Sequence, residues 1–220
     1  MQLPVSSLFS AADRENIAVA VRNAEHKTSG EIVPFVVGQS DSYEEAEWRC
    51  GSLLGAAALA TFSIIFSYTS IWLPLSVAEL VITALLAGAL GVLLPKIFAP
   101  LKRLFAGEAL MQRRVAQRAA EAFVSEEVFK TRDRTGILIF LSILEHKVLV
   151  LGDSGINAKV KPDEWQDIVK RIVTGIRSGK PAEGLIDGIT QCGTLLQKHG
   201  VAIRQDDTDE LPDSLRTGDK

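Results

Sequence analysis

Charge is missing from two long stretches of this chain. Residues 50–78 contain no Asp, Glu, Lys or Arg, and after Glu79 none recurs until Lys96. Cysteine is scarce too: Cys50 and Cys192 stand far apart, in no metal-ligand or redox spacing, which fits a reducing compartment. There is no excess of positive charge, with 24 Lys and Arg against 27 Asp and Glu and a net charge of -3. That excludes the basic stripe a nucleic-acid partner requires. Residues 1–10 hold no basic side chain and no long apolar run, so no secretory signal is expected there. Neither a P-loop nor a Cys-x5-Arg phosphatase signature occurs, and no internal repeat is found.

What the chain does have is a high apolar content, 47% of its 220 residues, and much of it falls in the uncharged stretches. A helix needs ~20 mainly apolar residues to cross ~30 Å of hydrocarbon. Residues 51–72 and 75–98 each satisfy this, and Pro74 breaks the pattern between them while Trp72 offers an interfacial ring. A hairpin of two transmembrane helices is the expectation, with a buried helical pair as the bland alternative. Arg49 precedes the first span, and Lys96, Lys102 and Arg103 follow the second. Basic flanks stay on the cytoplasmic side. Both termini are therefore expected in the cytoplasm, as for a bacterial inner-membrane protein. Glu79 would lie near the far interface, where a carboxylate costs less than at mid-bilayer; a pathway role is the other reading.

The flanking pieces alternate in period. Ser10 to Asp13 forms a capping-box pattern, followed by Ile17, Val21 and Ala24 at helical spacing, with Gly30 as a left-handed stop. Residues 32–37 read as a strand, and Pro34 points to an edge or a bulge. Ser42 to Glu45 is a second capping box, whose helix runs on into the first span. After the hairpin, residues 108–129 read as a helix. Its Arg113, Arg114 and Arg118 face either anionic headgroups or solvent. Residues 136–142 (GILIFLS) and 147–151 (KVLVL) are strands at hairpin spacing, the first a fully covered one. Pro162 opens a helix with Trp165, Ile168, Ile172 and Ile176 on its buried stripe, and Leu185, Ile189, Cys192 and Leu196 mark a last one. Residues 201–220, rich in Asp, are expected to be a disordered acidic tail.

Neither soluble piece makes a sheet alone. The expected fold is an α/β sandwich, a small central mixed sheet flanked by helices. Residues 1–50 and 107–200 would form one discontinuous domain, interrupted by the hairpin and its basic flank at 51–106.

Candidate chemistry gathers around AEHKTSGEIVPFVV at 24–37, where Glu25 and Glu31 flank the turn Thr28-Ser29-Gly30. Asp153 follows a strand carboxyl end, where ligand sites in α/β sheets tend to form. With Glu25 or Glu31 it could offer hard oxygen ligands to Ca2+ or Mg2+, or it could cap the turn amides after it. Arg134 could clamp a phosphate or pair with Glu25 or Glu31. Thr28 and Ser29 carry hydroxyls but no identifiable activating base. His26, His146 and His199 are scattered, and His26 alone adjoins the cluster.

Taken together, TSGE at 28–31, the RTGILI run from Arg134, GDSGI from Gly152 and the downstream Trp165 resemble the TPM domain family over residues 9–50 and 107–200. The resemblance implies an α/β sandwich, acid phosphatase activity on phosphate monoesters, divalent-cation binding, and assembly or maintenance of membrane protein complexes. The positions matching the family's recurrent polar ones are Glu25, Thr28, Ser29, Glu31, Arg134 and Asp153. Two functions remain in play: a membrane-anchored accessory module that binds partner membrane proteins, and a metal-dependent phosphatase.

Overall fold

The computed structural model describes residues 8–68, 77–201, 203 and 210–218. In chain order the elements are α1 (Ala11–Glu25), β1 (Glu31–Val37), α2 (Glu44–Tyr68), α3 (Val77–Ile97), α4 (Ala99–Ala106), α5 (Glu108–Ser125), β2 (Gly136–Ser142), β3 (Lys147–Gly152), α6 (Ser154–Asn157), a 3-10 turn (Pro162–Trp165), α7 (Gln166–Arg177), α8 (Pro181–Lys198) and β4 (Arg216–Gly218). The described residues form two compact units, one within 41–111 and one of 8–40 with 112–218.

The larger unit is built on a sheet of order β3-β2-β1-β4. β1 runs parallel to β2 and to β4, while β2 and β3 form the antiparallel hairpin that the sequence predicts. Every residue of β1 and β2 is buried, so alternation is not polar against apolar but one core against another. Ile32, Val36, Ile137, Ile139 and Leu141 face α1, α7 and α8 through Ile17, Ile172 and Leu185. Val33, Phe35, Val37, Leu138 and Phe140 face α5 through Val115, Ala119 and Ala122. Phe35 and Phe140, register partners, stack with centroids 5.9 Å apart. Truncating a buried Phe of this kind costs about 3–5 kcal/mol. Arg118 of α5 lies over the Phe35 ring, 5.9 Å from its centroid, so it is spent on the domain rather than on headgroups.

Several expectations are corrected. Pro34 is not on an edge strand, because β1 has neighbours on both sides. β4 pairs only from Phe35 onward, which leaves Pro34 outside the doubly paired stretch and makes its missing N–H tolerable. Gly30 is not left-handed: α1 stops at a right-handed His26, and the hydroxyl of Thr28 accepts the N–H of Gly30 at 3.1 Å. The end of the chain is not a free acidic tail throughout. Leu211 and Leu215 are buried, and Arg216–Gly218 adds the fourth strand by backbone pairing to β1. Asp206, Asp207 and Asp209 lie outside the described residues. The capping box at Ser10 is present, with Asp13 N–H donating to Ser10 Oγ at 3.1 Å and Ser10 N–H to Asp13 Oδ2 at 2.9 Å.

In the smaller unit α2 is a single helix from Glu44 on, so the soluble start and the first apolar span share one rod. It opens behind Tyr43, left-handed at φ 55°, rather than behind a Ser42 cap; Ser42 gives its carbonyl to Lys102 Nζ at 3.0 Å instead. α2 and α3 are long and apolar enough to cross a membrane, over Glu44–Ser67 and Val77–Ile97. Their apolar side chains point outward: Leu53 is 57% exposed, Phe66 68% and Leu85 68%. A soluble core helix would bury them. The helices cross backbone to backbone, since a Cβ on Gly91 would stand 2.7 Å from the Gly51 Cα. Glu47 ties the base together, 3.3 Å from Lys96 and 3.6 Å from Lys102. The expected turn at Trp72, Pro74, Leu75 and Ser76 lies outside the described residues.

Candidate functional site

The turn after α1 is held by its own hydroxyl. Thr28 is buried, donates its N–H to the Glu25 carbonyl at 3.0 Å and accepts from Gly30. This geometry aims both glutamates at the amino end of β1. Glu25 Oε1 accepts the Ile32 N–H at 2.7 Å. Glu31 is buried, and its Oε2 accepts the Leu211 N–H at 3.2 Å, so a side chain at the start of β1 holds the segment that leads to β4.

The third carboxyl of this group comes from the end of the chain. Asp213 hydrogen-bonds to Glu25, and its Oδ2 stands 3.6 Å from Arg22 Nη1. Burial pushes the Glu25 carboxyl up to about 9; the charges of Glu31 and Asp213 and the Asp213 hydrogen bond add to this, and the Ile32 N–H offsets part of it. At neutral pH Glu25 is therefore a neutral acid. The thiol of Cys192 is pushed up to about 12, by burial first and then by Glu25, which keeps it an inert core group.

Asp153 lies elsewhere on the same row of the sheet. Glu31 pairs with Gly136, and the Asp153 N–H donates to the Gly136 carbonyl at 2.9 Å. Two strand spacings put the Glu31 and Asp153 backbones ~10 Å apart. The space between is filled: a Cβ on Gly136 would overlap the Val128 carbonyl, so only glycine fits there. Asp153 caps α6 by accepting the Ser154 N–H at 2.6 Å, and Arg134 Nε lies 2.9 Å from its Oδ2. Arg134 is held in turn. Its guanidinium stacks over Phe129 at 5.7 Å, and Nη1 donates to the Phe129 carbonyl at 3.3 Å. Its backbone is left-handed at φ 59°, a conformation that costs a non-glycine residue about 1 kcal/mol.

The six candidate residues thus divide. Glu25, Thr28 and Glu31 gather with Asp213; Arg134 and Asp153 pair with each other. The expected partnership of Arg134 with Glu25 or Glu31 is not formed, and the expected strand end is the amino end of the parallel pair β1 and β2. Ser29 is half-buried and makes no hydrogen bond among the described residues. His199 Nε2 lies 2.7 Å from Glu164, His146 occupies the β2–β3 turn, and His26 caps α1 at the surface. The Glu164 carboxyl is drawn down, first by the Lys161 N–H and then by His199. Among the described residues no group of three or more His, Cys, Asp or Glu is set to hold a metal ion.

A second polar knot sits at the carboxyl end of β1 and β2, and sequence reasoning missed it. Glu145 Oε1 accepts the Ser40 N–H at 2.8 Å, and Oε2 accepts the Ser142 hydroxyl at 2.6 Å. Ser142 has then used its proton, so Ser40 Oγ is the donor in the 2.8 Å contact between the two hydroxyls. All three residues are buried.

A mixed sheet carrying helices on both faces, with its polar residues collected at the strand ends, defines an α/β sandwich. Residues 107–195 match the TPM domain, and the chain carries a TPM domain there. Among solved structures it is similar to the NMR structure of BA42 protein from the psychrophilic bacterium Bizionia argentinensis. The TM-score is 0.57 at 22% identity, over 96% of this chain and 95% of that one, a likeness of fold. No curated protein matches.

Proposed function

We propose that this TPM-domain protein is a membrane-anchored, non-catalytic accessory module that binds partner membrane proteins. The observation that carries the reading is the outward-facing apolar surface of α2 and α3, set in a chain whose flanking pieces close one sandwich. Lipid is the solvent that suits Leu53, Phe66 and Leu85. Arg49, Lys96, Lys102 and Arg103 mark one end of the hairpin, and the positive-inside rule puts that end, with both termini, in the cytoplasm. The engagement of Asp153 by Arg134 and by the α6 amide favours a structural over a hydrolytic role for that pair.

Three measurements test this. Alkaline washing should leave the chain in vesicles; if it strips the chain off, the anchor is refuted. Cysteines placed at position 72 and at exposed Ser214, in a background lacking Cys50 and Cys192, should label from opposite sides. The purified protein should not hydrolyse a generic aryl phosphate with Mg2+, Ca2+ or Mn2+. Turnover that disappears in Asp153→Ala and Arg134→Ala would put the metal-dependent phosphatase in place of the module.

A further inference from the structure

β3 is one of the two edges of the sheet, with β2 as its only neighbour among the described residues. Its hydrogen-bond phase can be read from the pairing. The Asp153 N–H donates to Gly136, so alternation turns Leu151, Leu149 and Lys147 towards β2, and the main-chain groups of Gly152, Val150 and Val148 outward. The Gly152 carbonyl confirms the phase, since it is already closed by Asn157 Nδ2 at 2.5 Å. Val148 and Val150 are left with their N–H and C=O facing an adjoining groove of about 510 Å³. Val150, Leu149, Pro162, Trp165 and Val169 make it largely apolar, and among the described residues Lys170 is the one charged side chain that lines it.

We propose that the edge of β3 captures an extended strand of a partner protein, apolar at alternate positions and acidic where it passes Lys170. A row of main-chain donors and acceptors is matched by another strand, and the groove takes every second side chain. Lys170 sets the sign. Its own partner, Asp167, stands 3.3 Å away and both side chains are largely exposed, so the pair exchanges readily. The inference rests on the accessory-module reading and names its capture element.

The test uses the full chain in nanodiscs and the peptide acetyl-Thr-Val-Thr-Glu-Thr-Val-Thr-amide, whose Val, Glu and Val side chains share one face. Amide exchange at Val150 should slow by roughly tenfold or more at saturation, with β1 and β4 unaffected. The same peptide with Lys for Glu should bind up to about fivefold more weakly, and Lys170→Glu should reverse that preference. Val150→Pro removes an outward N–H and should abolish capture; Lys170→Glu keeps the question open should that variant misfold. Peptide binding without slowing at Val150 overturns the proposal, as does the absence of binding. Slowing that grows with protein concentration and no peptide assigns the edge to a second copy and also overturns it. Indifference to the Glu-to-Lys exchange removes the acidic partner. If cross-linking to membrane proteins persists while β3 stays unprotected, the module reading stands and this inference alone falls.

Discussion

At the carboxyl end of β1 and β2, Glu145 is surrounded by donors: an N–H from Ser40 and a hydroxyl from Ser142. At the amino end Glu25 receives one N–H, from Ile32, and otherwise faces Glu31 and Asp213. The two residues are the same chemically and both are removed from water to a large extent. Company, not burial alone, sets what each can do. Donors make Glu145 a fastener that joins the end of β1 to the β2–β3 turn. Fellow acids make Glu25 a proton holder, at the place where the end of the chain returns to the sheet.

Removing the fastener should have the largest effect. Glu145→Ala leaves the buried Ser40 N–H and Ser142 hydroxyl without an acceptor, an expected loss of about 3 kcal/mol. Urea unfolding would show it as a lower midpoint at unchanged slope. A loss under ~0.5 kcal/mol would mean that water replaces the carboxylate and that the two ends do not differ as described.

Glu25 should respond to pH where Glu145→Ala does not. Its folded value of about 9 lies above the 4.5 of the unfolded chain, so between these values the native state holds a proton that the unfolded state releases. The contribution is complete below 4.5 and is lost as pH climbs towards 9; stability should thus fall with rising pH across this window. Partial exposure reduces the size, and about 2 kcal/mol between pH 5 and pH 8 is expected. Glu25→Gln mimics the protonated acid and should flatten the slope while costing little at pH 5. An unchanged slope in Glu25→Gln would assign the proton to another group.

The pair at the edge of the amino end is worth less. Asp153→Ala removes a helix cap and the partner of Arg134, but Arg134 is half-exposed and keeps Phe129, so a loss of about 1 kcal/mol is expected by thermal melting. Arg134→Gly should cost less still, because glycine relieves the left-handed backbone at φ 59°.

The sequence made the three apolar strands legible because GILIFLS, KVLVL and the run after Glu31 are continuous and β-branched, and their flanks carry turn residues. The hairpin was legible for a similar reason: uncharged stretches of that length have few other uses. β4 was not, since Arg-Thr-Gly has no apolar period and exists as a strand only because β1 offers it backbone groups. Glu25 and Glu31 could be paired from the sequence because only a turn separates them. Asp213 could not, and neither could the Ser40–Ser142–Glu145 knot, whose members meet across more than a hundred residues of chain. Asp153 was visible as a cap or a ligand; that Arg134 chooses it over the glutamates depends on the Val128 carbonyl filling the space between.

Ser29 gives the smallest expected effect and the cleanest separation between the two functions. Its neighbours Thr28 and Gly30 are committed to the turn, so any nucleophilic hydroxyl at this end that leaves the fold intact on removal has to be Ser29. With no hydrogen bond to lose among the described residues, Ser29→Ala should change stability by less than about 0.5 kcal/mol. Under the module reading the same variant keeps every binding property of the parent. Under the hydrolase reading with a serine nucleophile it loses turnover completely at unchanged melting temperature, a combination that a structural role cannot produce. Loss of stability in Ser29→Ala, by contrast, would show that the hydroxyl belongs to the Thr28 turn and would leave the amino end of the sheet without a candidate nucleophile.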